Sequence, residues 1–241
     1  MNTDGVPDLG RFCFLVVVVW GFFLNKGQSC IILPMDRETS FIFDLDGTLW
    51  DARVEVAEAW KEAAISEFGT THIDVDLVAS LMGKPMRDIA LAIAPSFLRE
   101  EDKLAFGVRA FAHENRYLSS HPGHLFPDVV ETLTELKRRG HGIYLVSNCQ
   151  NGYIETFLPV ALPFRFDGYL CYGDTGKEKH YTIRLLMEKH GIGKAVYVGD
   201  TLGDEKETHL AGLPFVYASY GFGESTSHEY KIDRFADLLT L

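Results

Sequence analysis

From residue 40 onward the chain is punctuated by short apolar runs that do not alternate with polar residues, at Phe41–Phe43, Ile143–Val146, Gly168–Cys171, Ala195–Val198 and Phe215–Ala218. A strand with one wet face alternates, whereas a strand covered on both faces does not. These runs therefore predict parallel strands with helices packed on either side. Helical patterns lie between them. Pro127–Arg139 carries apolar residues at i, i+3 and i+4, and the pattern puts Pro127 in the first turn and Gly140 at the C-cap. Thr182–His190 ends on basic residues before Gly191, and Asp204–Ala211 ends at Gly212. Strands that alternate with helices make an α/β chain with a doubly wound parallel sheet.

One interval breaks the alternation. Over Ala52–His124, about seventy residues, no strand signal appears. The pattern reads as helix after helix, at Val54–Phe68, Val75–Met82, Pro85–Ala94 and Leu98–Leu118. A single crossover needs far less chain, so an all-helical cap is expected at 52–124, inserted into a core formed by 35–51 and 125–241. His121 and His124 flank Pro122-Gly123 without a Cys or carboxylate at zinc spacing, which makes hinge residues of them. Glu100, Glu101 and Asp102 form an acidic first turn that complements a helix dipole.

Residues 1–34 follow another logic. Phe12–Leu24 is continuously apolar, but its 13 residues fall short of a membrane span. As a secretory signal it lacks a positive leader, since Asp4 and Asp8 precede the single Arg11, and no small-residue cleavage site follows. Three readings stand: a natural start at Met35, a signal or anchor, and a folded extension. The formal net charge of −11 lies wholly downstream, because Asp4, Asp8, Arg11 and Lys26 cancel. An acidic surface repels phosphate backbones and argues against nucleic acid as the main partner. The four cysteines, Cys13, Cys30, Cys149 and Cys171, form no CxxC pair, in keeping with reduced thiols in a cytoplasmic protein. No stable membrane partner is expected, and the chain is taken as a monomer or homodimer.

The polar residues that end the apolar runs carry the chemistry. The first run continues as Asp44-Leu45-Asp46-Gly47-Thr48. Carboxylates two apart at a strand end project to one side, and strand ends of an open parallel sheet are where ligands bind. Such a pair offers hard oxygens to Mg²⁺. It also allows one acid to ionise as a nucleophile while its neighbour keeps a proton. In isolation the same residues also suit an Asx-rich turn. The second run, however, ends Ser147-Asn148, a hydroxyl and an amide at the same edge. Lys177 and Lys179 precede the next helix, and the fourth run ends Gly199-Asp200 with Asp204 four residues on.

With these four sets in this order, the chain resembles the haloacid dehalogenase-like hydrolases from Ser40 to Gly223, nearest the phosphoglycolate-phosphatase-like branch with a helical cap. The resemblance implies a Rossmann-like core and a Mg²⁺-dependent phosphatase acting on a small phosphorylated substrate. It makes Asp44 the nucleophile that becomes an aspartyl phosphate. Asp46 becomes the acid that protonates the leaving oxygen and then the base that deprotonates water. It assigns the metal to Asp44, the backbone carbonyl of Asp46, Asp200 and Asp204, and the phosphoryl oxygens to Thr48, Ser147, Asn148 and a lysine. The family's lysine is usually followed by a Pro-rich stretch. Here the spelling is Lys177-Glu178-Lys179-His180, so either lysine could serve, and Lys179, next to the helix start, is preferred. Tyr217–Gly223 resembles the aromatic and glycine loop that supports the metal site. The second acid, Asp46, points to phosphate esters, since a halide needs no proton. Leu81–Met86 resembles the cap loop of the phosphatases more than that of the phosphosugar mutases, with Lys84 and Arg87 as candidate substrate contacts. A mutase and a catalytically silent binding protein on the same fold are the alternatives.

Overall fold

The structure is a computed structural model and describes residues 35–241. The readings made for residues 1–34, including Cys13 and Cys30, lie outside the described residues.

Six strands form one parallel sheet: β1 (Ser40–Phe43), β4 (Ile143–Ser147), β5 (Gly168–Cys171), β6 (Ala195–Gly199), β7 (Phe215–Ala218) and β8 (Tyr230–Ile232). Their spatial order is β5-β4-β1-β6-β7-β8. The chain leaves β1, builds outward through β4 and β5, then returns to build the other half from β6. β1 is thus the switch point, where open sheets form their ligand crevice. Successive side chains serve opposite layers, as the pleat requires. Phe41, Phe43, Leu145 and Val198 join one core, while Ile42, Tyr144, Val146 and Tyr197 join the other. The first layer is covered by α5 (Val129–Arg138) and α6 (Tyr153–Ala161), whose Leu133, Leu136, Ile154 and Phe157 are buried. The second is covered by α8 (Lys179–His190), which contributes Ile183 and Leu186, and by α9 (Leu202–Ala211). A short α7 (Tyr172–Thr175) links β5 to α8.

Between β1 and α5 lie four helices: α1 (Arg53–Phe68), α2 (Val75–Leu81), α3 (Met86–Ile93) and α4 (Glu100–Leu118). In α3 the buried Met86, Ile89, Ala90 and Ile93 fall at helical spacing, so one apolar stripe faces α4. Two-residue strands β2 (Trp50–Asp51) and β3 (His124–Leu125) pair antiparallel where the insertion begins and ends. His124 faces Asp51 in that ladder, and His121 stacks on Tyr117.

Several details depart from the sequence pattern. Pro127 does not enter the first turn of α5. The helix begins at Val129 because Asp128 takes a left-handed conformation with φ 65° and breaks the backbone path before it. The apolar patterning marks neither α6 nor β8. Pro159 lies inside α6, where its ring normally ends a helix, and β8 is a three-residue edge strand without an apolar run.

Candidate active site

The ends of the strands converge at β1. Asp44 directly follows β1, and its N–H still donates to Val198 O (2.8 Å), so the residue is clamped to β6. The chain then turns sharply, with Gly47 at φ +82°. A Cβ at Gly47 would stand 2.2 Å from Asp200 Oδ2, so the turn and the approach of the second acid need the same glycine. Asp200 follows β6. Asp204 sits in the first turn of α9, where its Oδ2 accepts from the Thr201 N–H (3.1 Å) and hydroxyl (2.7 Å), while the Thr201 hydroxyl caps the Asp204 N–H in return. One oxygen from each of Asp44, Asp200 and Asp204 lies within 4.8 Å of the others, all three buried.

Among the described residues a single cation enters this group. Lys179 Nζ donates to Asp44 Oδ1 (3.0 Å) and to Asp204 Oδ1, and its side chain is 1% exposed. Lys177 is exposed on the preceding loop. Burial pushes the Asp44 carboxyl up to about 7, with Asp204 adding and Lys179 opposing. Burial, then Asp204 and Asp44, hold Asp200 well above the carboxylate range. Burial pulls Lys179 down, but Asp204 and Asp44 outweigh it and keep the ammonium charged. Three carboxyls against one ammonium offer more hard oxygen donors than that ammonium satisfies, a set suited to Mg²⁺, whose charge would favour their ionised forms, rather than to a softer ion. The loop after β7 braces Asp200. Phe222 N–H donates to Asp200 Oδ2 (2.7 Å), and Gly221 lets the loop pass where a Cβ would sit 2.3 Å from Asp200 Cβ.

Asp46 turns the other way. Its Oδ1 accepts from Tyr153 OH (2.8 Å) and Trp50 Nε1 (3.0 Å). Burial pushes its carboxyl up to about 6 against those two hydrogen bonds. Asp44 and Asp46 share a cavity with Ser147, Asn148, Lys84 and Glu114. Ser147 Oγ accepts from Cys149 N–H (3.3 Å), and Asn148 Nδ2 donates to Gly83 O (3.0 Å), tying the sheet edge to the insertion. Thr48 is fully buried and its hydroxyl faces Asp200 Oδ1 at 3.5 Å. Arg87 is not brought to the cavity; it is exposed and paired with Glu100.

Sequence reasoning missed Tyr153, which lies on a helix it did not name. It also missed Glu114, for which a signal existed. Glu114 falls four residues after Ala110 and four before Leu118, on the apolar stripe of α4.

The sequence profile of the haloacid dehalogenase-like hydrolases matches residues 41–218. The chain belongs to that family and is a hydrolase. Among curated proteins it is 30% identical over 215 residues to a phosphoglycolate phosphatase of Vibrio vulnificus, covering 82% of this chain and 92% of the relative. It is 24% identical over 195 residues to a 5'-nucleotidase of Pseudomonas aeruginosa, covering 78% and 85%. The structure of CbbY from Rhodobacter sphaeroides in complex with phosphate shares the fold at TM-score 0.66 and 20% identity, covering 83% of this chain and 95% of that one.

Proposed function

We propose that the protein is a Mg²⁺-dependent phosphatase that hydrolyses small phosphorylated metabolites through a phosphate ester on Asp44. The observation that carries this reading is the buried Asp44–Asp200–Asp204 cluster beside Lys179, opening on a cavity into which Asp46 also faces. Asp44, Asp200, Asp204 and the backbone carbonyl of Asp46 would hold the ion, which supplies positive charge to the phosphoryl oxygens. A carboxylate oxygen of Asp44 attacks phosphorus, a new P–O bond forms, and the bond to the leaving alcohol breaks. The leaving oxygen takes its proton from Asp46, whose carboxyl, raised to about 6, still carries one in part of the population near neutrality. Water then attacks phosphorus, returns a proton to Asp46, and frees Asp44 and inorganic phosphate. Lys179, Thr48, Ser147 and Asn148 orient the phosphoryl oxygens, and Lys84 meets the substrate's negative charge at the cavity mouth. Residues 35–51 and 125–241 act as the catalytic core and 52–124 as its cap. The curated relatives named as a phosphoglycolate phosphatase and a 5'-nucleotidase support a phosphate monoester as substrate.

The test is turnover of an aryl phosphate. Phosphate release should require Mg²⁺, stop in EDTA, resume when Mg²⁺ is restored, and be abolished in Asp44→Asn with the fold intact. Asp46→Asn should slow release by about two to four powers of ten, the usual weight of a general acid. Appreciable activity in Asp44→Asn, or full activity in chelator, overturns the mechanism.

A further inference from the structure

The helical insertion delivers a carboxyl of its own to the cavity that Asp44 and Asp46 open onto. Glu114 is 3% exposed on the buried stripe of α4, and its Oε2 accepts a hydrogen bond from Trp60 Nε1 on α1. Helical periodicity places an apolar residue there, and a buried carboxyl is unfavourable unless something uses or satisfies it. Trp60 fixes its direction. The cavity it lines holds three carboxyls, those of Asp44, Asp46 and Glu114, and a single ammonium, that of Lys84. Lys84 is exposed at the mouth, and Lys179 is already committed to Asp44 and Asp204. The cavity offers about 40 Å³ and is open to solvent on one side.

This wall suits some alcohols and not others. A leaving group that bears a carboxylate needs a cation or a set of N–H donors beside it. Here it would meet Glu114, and two carboxyls sharing a buried site cannot both ionise without a penalty. Lys84, the ammonium on this wall, is exposed, so its solvent-screened charge offsets little of that penalty. A hydroxyl fits, because it donates to the carboxyl oxygen and brings no charge. We propose that Glu114 is a specificity-determining residue and that the substrate is the monoester of a small uncharged polyol, whose free hydroxyl donates to Glu114. Carboxylate-bearing esters such as phosphoglycolate are then poor substrates, despite the names of several relatives. This assignment rests on the phosphatase reading above.

The experiment compares kcat/KM for glycerol 3-phosphate, 2-phosphoglycolate and 4-nitrophenyl phosphate, using the full chain with Mg²⁺, in wild type and in Glu114→Gln. The amide keeps an oxygen for Trp60 and cannot ionise. The wild type should prefer glycerol 3-phosphate over phosphoglycolate by at least about tenfold, and Glu114→Gln should shrink that ratio about tenfold. A wild-type preference for phosphoglycolate overturns the proposal. So does an unchanged ratio in a variant that melts at the wild-type temperature. If the variant unfolds, the wild-type ratio decides. Turnover of the aryl phosphate with the wrong ratio sinks this inference alone. No turnover of any of the three esters sinks the phosphatase reading together with it.

Discussion

Gly47 shows how little freedom single positions have around the acids. Its φ of +82° is open mainly to glycine, and Asp200 Oδ2 occupies the place of any Cβ. Gly47→Ala therefore combines left-handed strain, about 1–2 kcal/mol, with displacement of Asp200. The expected result is a lower melting temperature and a rise of about tenfold or more in the Mg²⁺ concentration for half-maximal activity, read from a metal titration; an unchanged titration would show that Asp200 does not hold the ion. Glu114 gives a pH signature of its own. Burial, opposed by the bonds from Trp60 and Gln150, pushes it from its ordinary 4.5 up to about 8. Between those values the folded state binds a proton that the unfolded state has released. Stability therefore falls as pH rises through that window and levels off above it. Urea melts across pH 4–9 should show that slope, and Glu114→Gln should flatten it. An equal slope in both proteins would mean the carboxyl is not buried as described.

At the scale of elements, the site depends on how helices begin. Lys179 occupies the first residue of α8, where the helix dipole disfavours a cation. Contacts with Asp44 and Asp204, which belong to other elements, override that local preference. The opening of α9 instead agrees with local rules. Thr201 and Asp204 form a reciprocal cap, so the bonds that start the helix also fix the carboxylate that Lys179 meets. Thr201→Ala should lower stability by about 1 kcal/mol in urea unfolding. It should also weaken Mg²⁺ activation, because Asp204 loses the hydroxyl that orients it. Loss of stability with no change in the metal titration would separate the cap from the site. Both helices were legible in the sequence, but their first residues were not. The pattern began them at Thr182 and Asp204, after the very turns that carry the site, because capping residues interrupt apolar periodicity.

For the whole molecule, an ion held by the buried acids, as proposed above, would be coupled to folding. With no ion bound, Asp44 is lifted from its ordinary 3.8 to about 7, mainly by burial, so the metal-free fold loses stability as pH rises across that interval. Mg²⁺ that binds only the folded chain should add about 2.7 kcal/mol at a concentration one hundredfold above its Kd. For a chain of this size that raises the melting temperature by roughly 5–10 °C, a shift that calorimetry at pH 7.5 with Mg²⁺ and with EDTA would detect. Equal melts would remove the ion from the site. Among the described residues no helix is long and apolar enough to cross a membrane. By itself the sequence determined the strand runs, the helical insertion and the polar residues that end the first, second and fourth runs. A strand buried on both faces is written as a contiguous apolar segment, and its C-terminal end is where the polar chain resumes. Tertiary structure decided what distant residues do to one another. It placed Lys179 rather than Lys177 against Asp44, set Tyr153 on Asp46, sent Arg87 to Glu100, and turned Glu114 into the cavity. The partners on Asp44 and Asp46 stand 135 and 107 residues away along the chain. Local periodicity carries no information over such separations, and only the packing of one element on another sets those distances.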